Sequence, residues 1–151
     1  MKARILTVEY PTLVSAVKTK IVVTAPTNPT VQGTDKAIWD TGATNTVMTQ
    51  DVIAALGLEP IGVTLVNTSG GIRQTYTYLI HLTLENQVQF QYVRVTEGSI
   101  YGANVLLGMD IITQGDLALT NRDQMTTFSF RIPAMEKIDF GQPRRKRALR
   151  K

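Results

Sequence analysis

Residues 38–47 read IWDTGATNTV, and this stretch decides how the rest of the chain is interpreted. A short apolar segment leads into Asp40, which is followed at once by Thr41 and Gly42. Aspartate and glycine are both common in turns, so the tripeptide alone is compatible with a simple hairpin turn. The other interpretation is a carboxylate presented by the end of a buried strand. The sequence around the tripeptide has to decide between the hairpin turn and the carboxylate at a strand end.

That pattern is β-rich throughout. Runs of alternating or β-branched residues, bounded by glycine, proline and asparagine, predict strands. They lie at 18–25, 36–39, 63–66, 74–78, 78–84, 87–95, 105–107, 117–120 and 125–132. A turn-rich stretch is expected at 26–35, and a glycine-tipped hairpin turn at 67–71.

Two short helices interrupt the strands. Residues 49–57 can begin with Thr49 as N-cap and end at Gly57. Residues 109–114 can form one or two turns that stop at Gly115. The fold class predicted from these elements is all-β, a small closed barrel or sandwich with one or two short helices.

Composition narrows the possible chemistry. The chain has 151 residues with 43% hydrophobic and 19% charged residues, which is typical of one globular domain. There is no cysteine and a single histidine, His81, so thiol catalysis and a multi-histidine metal site within one chain are excluded. No metal or other cofactor is expected. The predicted domain covers residues 1–140.

The net charge of +4 comes from the end of the chain. Six of the sixteen basic residues lie at 144–151, and without them ten basic residues face twelve acidic ones. Residues 141–151 are therefore predicted to be a basic, disordered tail, with contact to nucleic acid or an acidic membrane as a less favoured role. The N-terminal residues lack the apolar core of a signal peptide, and a cytoplasmic location is expected.

Four segments, taken in order, resemble the retropepsin family of retroviral-type aspartic proteases. They cover roughly residues 18 to 132 and are the Asp-Thr-Gly-Ala motif at 40–43, the Thr-Ser-Gly-Gly tip at 68–71, the segment VLLGMDII at 105–112 and the strand at 117–121. The resemblance implies a retropepsin-like acid-protease fold in which the 67–71 hairpin is a flap over the substrate. Membership of the bacterial branch of the family is expected.

The resemblance also assigns roles. Asp40, Thr41 and Gly42 would be the catalytic residues, and the substrate would contact a second set: Ala43, Thr44, Ser69, Gly70 and Gly71. No other aspartate of the chain is followed by Thr-Gly or Ser-Gly. Because this chemistry needs two facing carboxylates, the expected enzyme is a homodimer that hydrolyses an extended peptide or protein with one Asp40 from each chain.

One departure from the viral pattern concerns a charged pair. Viral relatives commonly place an arginine after the glycine of the second motif and an acid shortly after the catalytic motif, and here the matching positions are Met109 and Thr44. Two other functions stay open at this level: a non-catalytic protease-fold module for dimerisation or peptide binding, and a nucleic-acid-binding barrel. Trp39 and His81 are both expected to be structural.

Overall fold

The computed structural model describes residues 2–142. Ten strands and two short helices follow one another along the chain. They are β1 (Arg4–Tyr10), β2 (Lys18–Ala25), β3 (Asn28–Trp39), β4 (Val47–Met48), α1 (Gln50–Ala55), β5 (Gly62–Thr68), β6 (Gly71–Leu84), β7 (Gln89–Glu97), β8 (Val105–Leu107), α2 (Met109–Ile112), β9 (Asp116–Arg122) and β10 (Met125–Ile132).

Six strands close into a barrel. Their order is β2-β3-β8-β4-β7-β6, and β6 pairs back onto β2 with Ile21 opposite Leu84. The alternating pattern of β2 explains this arrangement, because every second residue, including Ile21 and Val23, is buried inside. The predicted all-β, retropepsin-like barrel with short helices is therefore confirmed.

The remaining strands attach outside the barrel. β5 pairs only with the first half of β6, so the two form a long hairpin that projects from the wall. β1, β10 and β9 form a separate antiparallel sheet. This sheet packs on the barrel through Phe128 and Phe130, whose rings lie 4.9 and 4.8 Å from that of Trp39.

Three differences from the predicted strands are the largest. The stretch predicted as a turn, 26–35, is mostly strand: the turn is confined to residues 26 and 27, and β3 begins at Asn28. The two strands predicted at 74–78 and 78–84 are one 14-residue strand. The N-terminal residues, for which no strand was predicted, form β1. In each case pairing with a neighbouring strand outweighs the local propensity.

The predicted helices are confirmed with slightly different ends. Thr49 occupies the N-cap of α1 with an extended backbone, and Gly57 follows the helix with φ +61. α2 covers Met109–Ile112 and ends before Gly115. None of the helices within residues 2–142 is both long and apolar enough to cross a membrane. Residues 143–151, most of the predicted basic tail, lie outside the described residues.

Candidate active site

Asp40 directly follows the last residue of β3, which pairs in parallel with β8. Trp39 is paired with Leu107 of β8, and the next backbone N–H, that of Asp40, donates to the Leu107 carbonyl at 3.0 Å. The Asp40 side chain then accepts a hydrogen bond from the Gly42 N–H at 2.8 Å. The carboxylate is thus oriented by its own loop. Asp40 is half-buried, while Thr41 and Gly42 are exposed.

The loop that carries Asp40, residues 40–46, is fastened to the start of α2. The N–H groups of Met109 and Asp110 donate to the carbonyls of Ala43 and Thr44 at 2.8 and 3.2 Å. Met109 and Thr44 are the two positions where the viral pattern would place a charged pair, and each takes part in one of these two bonds. Backbone hydrogen bonds join the loop and the helix here, with neither charge present.

Asp110 completes this connection. Its carboxylate accepts hydrogen bonds from the Thr46 N–H at 3.0 Å and from the Thr46 hydroxyl at 2.9 Å. Thr46 is fully buried, so these bonds satisfy polar groups that water does not reach. The sequence interpretation did not identify Asp110. The available signal was an acid in the first turn of a short helix directly after Gly108.

Gly108 allows the loop and the helix to approach this closely. A Cβ atom added at this residue would lie 2.6 Å from the backbone carbon and oxygen of Asn45 and 2.9 Å from the Ala43 carbonyl oxygen. Real Cβ atoms do not come so near to backbone atoms. The glycine of the Leu-Leu-Gly segment is therefore required by the packing of the Asp40 loop.

A cleft opens between the Asp40 loop and the β5–β6 hairpin. One cavity, of about 420 Å³, is lined on one side by Gly42, Ala43 and Thr44, and on the other by hairpin residues including Leu65 and Thr68. A second cavity, of about 820 Å³, continues under the hairpin tip and is lined by Ser69 and Gly70, among others.

The two cavities bring together most of the residues that were predicted to form the site. Gly42, Ala43 and Thr44 line the first, and Ser69 and Gly70 line the second. Asp40, Thr41 and Gly71 line neither cavity in the single chain. Asp40 and Thr41 directly precede Gly42, which lines the first cavity.

The hairpin tip is a tight two-residue turn. Ser69 and Gly70 connect the strands, and Gly71 has φ +105, a conformation that side-chain-bearing residues rarely adopt. The Thr68 hydroxyl donates to the Gly71 carbonyl at 2.9 Å and accepts from the Gly70 N–H at 3.2 Å. The hairpin predicted at 67–71 is confirmed, and its tip is held by its own residues.

Trp39 and His81 both have structural surroundings, as predicted. Trp39 is buried, and its indole N–H donates to the Thr19 hydroxyl at 2.9 Å. His81 accepts the Tyr92 N–H through Nδ1 at 3.1 Å, and its ring meets the Tyr92 ring edge-on. His81 also lines a separate groove of about 620 Å³ that no residue of the Asp40 loop reaches.

No three histidine or acidic side chains within residues 2–142 lie close enough together to hold a metal ion. The Asp40 loop of one chain presents one oriented carboxylate, that of Asp40, and the residues that follow it line the cleft.

Comparison with known proteins gives a family and a fold. Residues 30–114 match the model of the family described as "gag-polyprotein putative aspartyl protease". No curated protein matches the chain. The match to the family model includes the Asp40 loop, the hairpin and α2.

Solved structures agree on the fold. The crystal structure of a retropepsin-like aspartic protease from Rickettsia conorii is similar with a TM-score of 0.53 and 14% identity, covering 87% of this chain and 95% of that one. The EIAV protease complexed with the inhibitor HBY-793 is similar with a TM-score of 0.50 and 19% identity, covering 68% and 89%. The chain belongs to the retropepsin-like aspartic protease family.

Proposed function

We propose that the chain is a homodimeric aspartic endopeptidase in which each copy contributes one Asp40. The observation that carries the proposal is the position of Asp40: its carboxylate is oriented by the Gly42 N–H, on a loop that is hydrogen-bonded to α2 and whose next residues, Gly42 to Thr44, line the cleft. A second copy related by a twofold axis would bring an identical carboxylate to the same edge.

The two carboxylates would act as one unit. At about 3 Å apart they share a single proton, because both cannot carry a charge cheaply. The ionised member takes a proton from a water molecule held between them, and the water oxygen attacks the scissile carbonyl carbon. The protonated member hydrogen-bonds the carbonyl oxygen as negative charge develops there. The intermediate then collapses: the C–N bond breaks and the leaving nitrogen takes a proton from the pair.

The neighbouring residues would hold the reactants. Thr41, exposed in the single chain, would hydrogen-bond across the dimer, and Gly42 to Thr44 would contact the substrate backbone. The β5–β6 hairpin would act as a flap, with Ser69, Gly70 and Gly71 closing over the peptide and excluding water. An extended peptide would lie in the cleft as an added strand.

A subunit-mixing experiment tests both parts of the proposal. Purified full-length protein, its dimer verified by sedimentation, is incubated with a peptide library and the cleaved bonds are identified by mass spectrometry. We expect cleavage by the native chain and none by Asp40→Asn. Adding Asp40→Asn chains to a fixed amount of native chain should lower the cleavage rate more than adding the same volume of buffer does. The reason is that mixed dimers have only one Asp40 carboxylate.

Asp123→Asn is the matched control for the mixing experiment. It makes the same change at an exposed aspartate in the β9–β10 turn, outside the cleft, and should not inhibit on mixing. A verified dimer that cleaves nothing would overturn the enzyme proposal in favour of a peptide-binding module. Cleavage that is unaffected by added Asp40→Asn chains would overturn the shared site.

The domain boundary is part of the same proposal. We place the protease in residues 1–140 and the basic tail after it, so deletion of residues 144–151 should leave peptide cleavage unchanged. A loss of cleavage in the shortened chain, with its thermal unfolding unchanged, would show that the tail contributes to substrate binding or to the dimer.

A further inference from the structure

Two acidic residues line the cleft next to the Asp40 loop, and one of them, Asp51, lines only the second cavity. Glu97, the last residue of β7, lines both cavities. Among the described residues that line the cavity beside the loop, it is the only charged one. A charge in such a position affects whatever side chain a bound peptide places there.

Two neutral donors orient this carboxylate. The Tyr78 hydroxyl donates to Oε2 of Glu97 at 3.0 Å. The Gln50 side-chain amide, turned so that its nitrogen faces the carboxylate, lies 3.2 Å from both oxygens. The burial of Tyr78 and its hydrogen bond to Glu97 raise the pKa of the tyrosine, so Tyr78 stays a donor at neutral pH.

No cation neutralises Glu97 within residues 2–142. None of the ion pairs of this part of the chain includes it. Arg73 of the hairpin is an exposed residue that lines the same second cavity. A carboxylate offers about four acceptor positions, and the donors from Tyr78 and Gln50 leave room for another partner.

We propose that Glu97 selects substrates with a lysine or arginine side chain in the cavity beside the Asp40 loop. The inference rests on the proposed protease function and adds a substrate preference to it. A basic side chain would reach the carboxylate across a cavity lined otherwise by neutral residues and form a charge-assisted hydrogen bond. Closure of the hairpin would exclude water and strengthen that bond.

The first test compares two peptides that differ only at one position, where lysine is replaced by the uncharged norleucine. The position is taken from the cleavage sites of the library. We expect native protein to prefer the lysine peptide by roughly 10- to 100-fold in kcat/KM, the range expected for a hydrogen bond to a charged group. Glu97→Gln, which keeps the size and an acceptor for Tyr78, should remove most of that ratio.

Glu85→Gln is the matched control, since it removes the same charge from an exposed turn outside the cleft and should keep the ratio. The ratio is the decisive readout because a general loss of stability lowers the cleavage of both peptides together. Equal cleavage of the two peptides by native protein, or a ratio that Glu97→Gln leaves unchanged, would overturn the proposal while the protease function stands.

A binding measurement separates this proposal from the protease function. The affinities of the two peptides for the Asp40→Asn protein are compared by fluorescence anisotropy, which needs no turnover. Tighter binding of the lysine peptide, lost in the Asp40→Asn, Glu97→Gln double variant, supports the subsite. If the native chain cleaves nothing, the two peptides are derived instead from library members that the Asp40→Asn protein binds, and the same comparison applies. Equal binding of both peptides counts against it.

The Arg73→Gln variant tests the main internal competitor. If Arg73 occupies Glu97 when the hairpin closes, native protein shows no basic preference and Arg73→Gln gains one. That result would overturn the proposal and make the pair a latch of the hairpin. A preference already present in native protein and retained in Arg73→Gln supports a substrate subsite.

Discussion

The Asp40 loop and the β5–β6 hairpin form the two sides of one cleft, but they are held in different ways. The loop is joined to α2 by backbone hydrogen bonds and by both oxygens of Asp110, around a fully buried Thr46. The hairpin strand β5 pairs only with β6, and Val63, Leu65 and Ile72 are more than half exposed.

This difference matches the two proposed tasks, which are the positioning of Asp40 by the loop and the closure of the cleft by the hairpin. Under the proposed function, Asp40 has to be positioned with sub-ångström precision relative to the second carboxylate, which requires a rigid element. Under the same proposal, the hairpin has to admit a peptide and then cover it, which suits a less stable part of the fold where few buried contacts resist opening. Changes in the loop should therefore reduce both stability and activity, and changes in the hairpin mainly activity.

The largest effect is expected from Gly108→Ala. The added Cβ would meet backbone atoms of Ala43 and Asn45, so α2 must move away from the loop. We expect a loss of about 3 kcal/mol in the free energy of unfolding, measured by urea titration, and loss of peptide cleavage. In Gly33→Ala, the control, the Cβ meets only the Leu56 side chain at 3.8 Å. Equal stability of the two variants would contradict the packing argument.

The next effect concerns Asp110→Ala, which leaves the buried Thr46 hydroxyl and N–H without their acceptor. We expect a loss of about 1–3 kcal/mol in unfolding free energy, and a lower kcat from a displaced Asp40. Thr46→Val closes a double-mutant cycle, because the pair share a hydrogen bond. Additive losses in the cycle would mean that Asp110 stabilises the protein through some other contact.

A smaller change in stability, with a clear change in turnover, is expected for Gly71→Ala. Alanine at φ +105 is strained by about 1–2 kcal/mol, and the strain falls on the hairpin tip. Hydrogen exchange of the β5 amides should accelerate and kcat/KM should fall, while the global melting temperature changes little. Gly70→Ala is the control for backbone strain, and it should leave hydrogen exchange of the β5 amides unchanged, since its Cβ would meet only the Thr68 hydroxyl at 3.7 Å. A large drop in melting temperature would place the hairpin in the rigid part of the fold.

The smallest effect lies outside the cleft, in the terminal sheet. Hydrogen bonds from the Met135 N–H and the Arg131 guanidinium hold the pKa of Asp116 below its usual 3.8. The ionised form is favoured in the folded state, so its stabilisation is fully present well above the unfolded-state pKa of 3.8 and is lost as pH falls through the lower pKa of the folded state.

Urea unfolding at pH 7 and pH 3 checks this contribution. Native protein should lose more stability between the two pH values than Asp116→Asn does. Equal losses would show that acid sensitivity arises elsewhere. The comparison also separates acid unfolding of the terminal sheet from any pH dependence of catalysis in the cleft.

Much of the fold follows from local pattern. β2 was predicted with its observed ends because its alternation matches a half-buried strand, and Thr49 and Gly57 mark α1 by their own chemistry. β3 was shortened because Pro26, Asn28 and Pro29 have turn propensity. Pairing with β2 keeps Asn28–Thr34 extended nevertheless, and no local signal records that pairing.

The site, like the fold, was predicted only in part. The motif at 40–43 and the hairpin tip could be found because glycine and aspartate are required there by backbone geometry. Asp110 and Glu97 could not be found, because their roles depend on neighbours 64 and 19 residues away, Thr46 and Tyr78. The acid in the first turn of α2 was visible in the sequence, but no local pattern indicates that its carboxylate contacts Thr46.

Trp39 also gives the protein an intrinsic fluorescent probe. It is the only tryptophan of the chain, it is buried against Phe128 and Phe130, and it precedes Asp40 directly. The protein therefore carries a natural fluorophore at the junction of barrel, terminal sheet and Asp40 loop. Its emission reports the packing behind the carboxylate without any label, so separation of the terminal sheet from the barrel can be followed optically while the cleft is free to bind peptide.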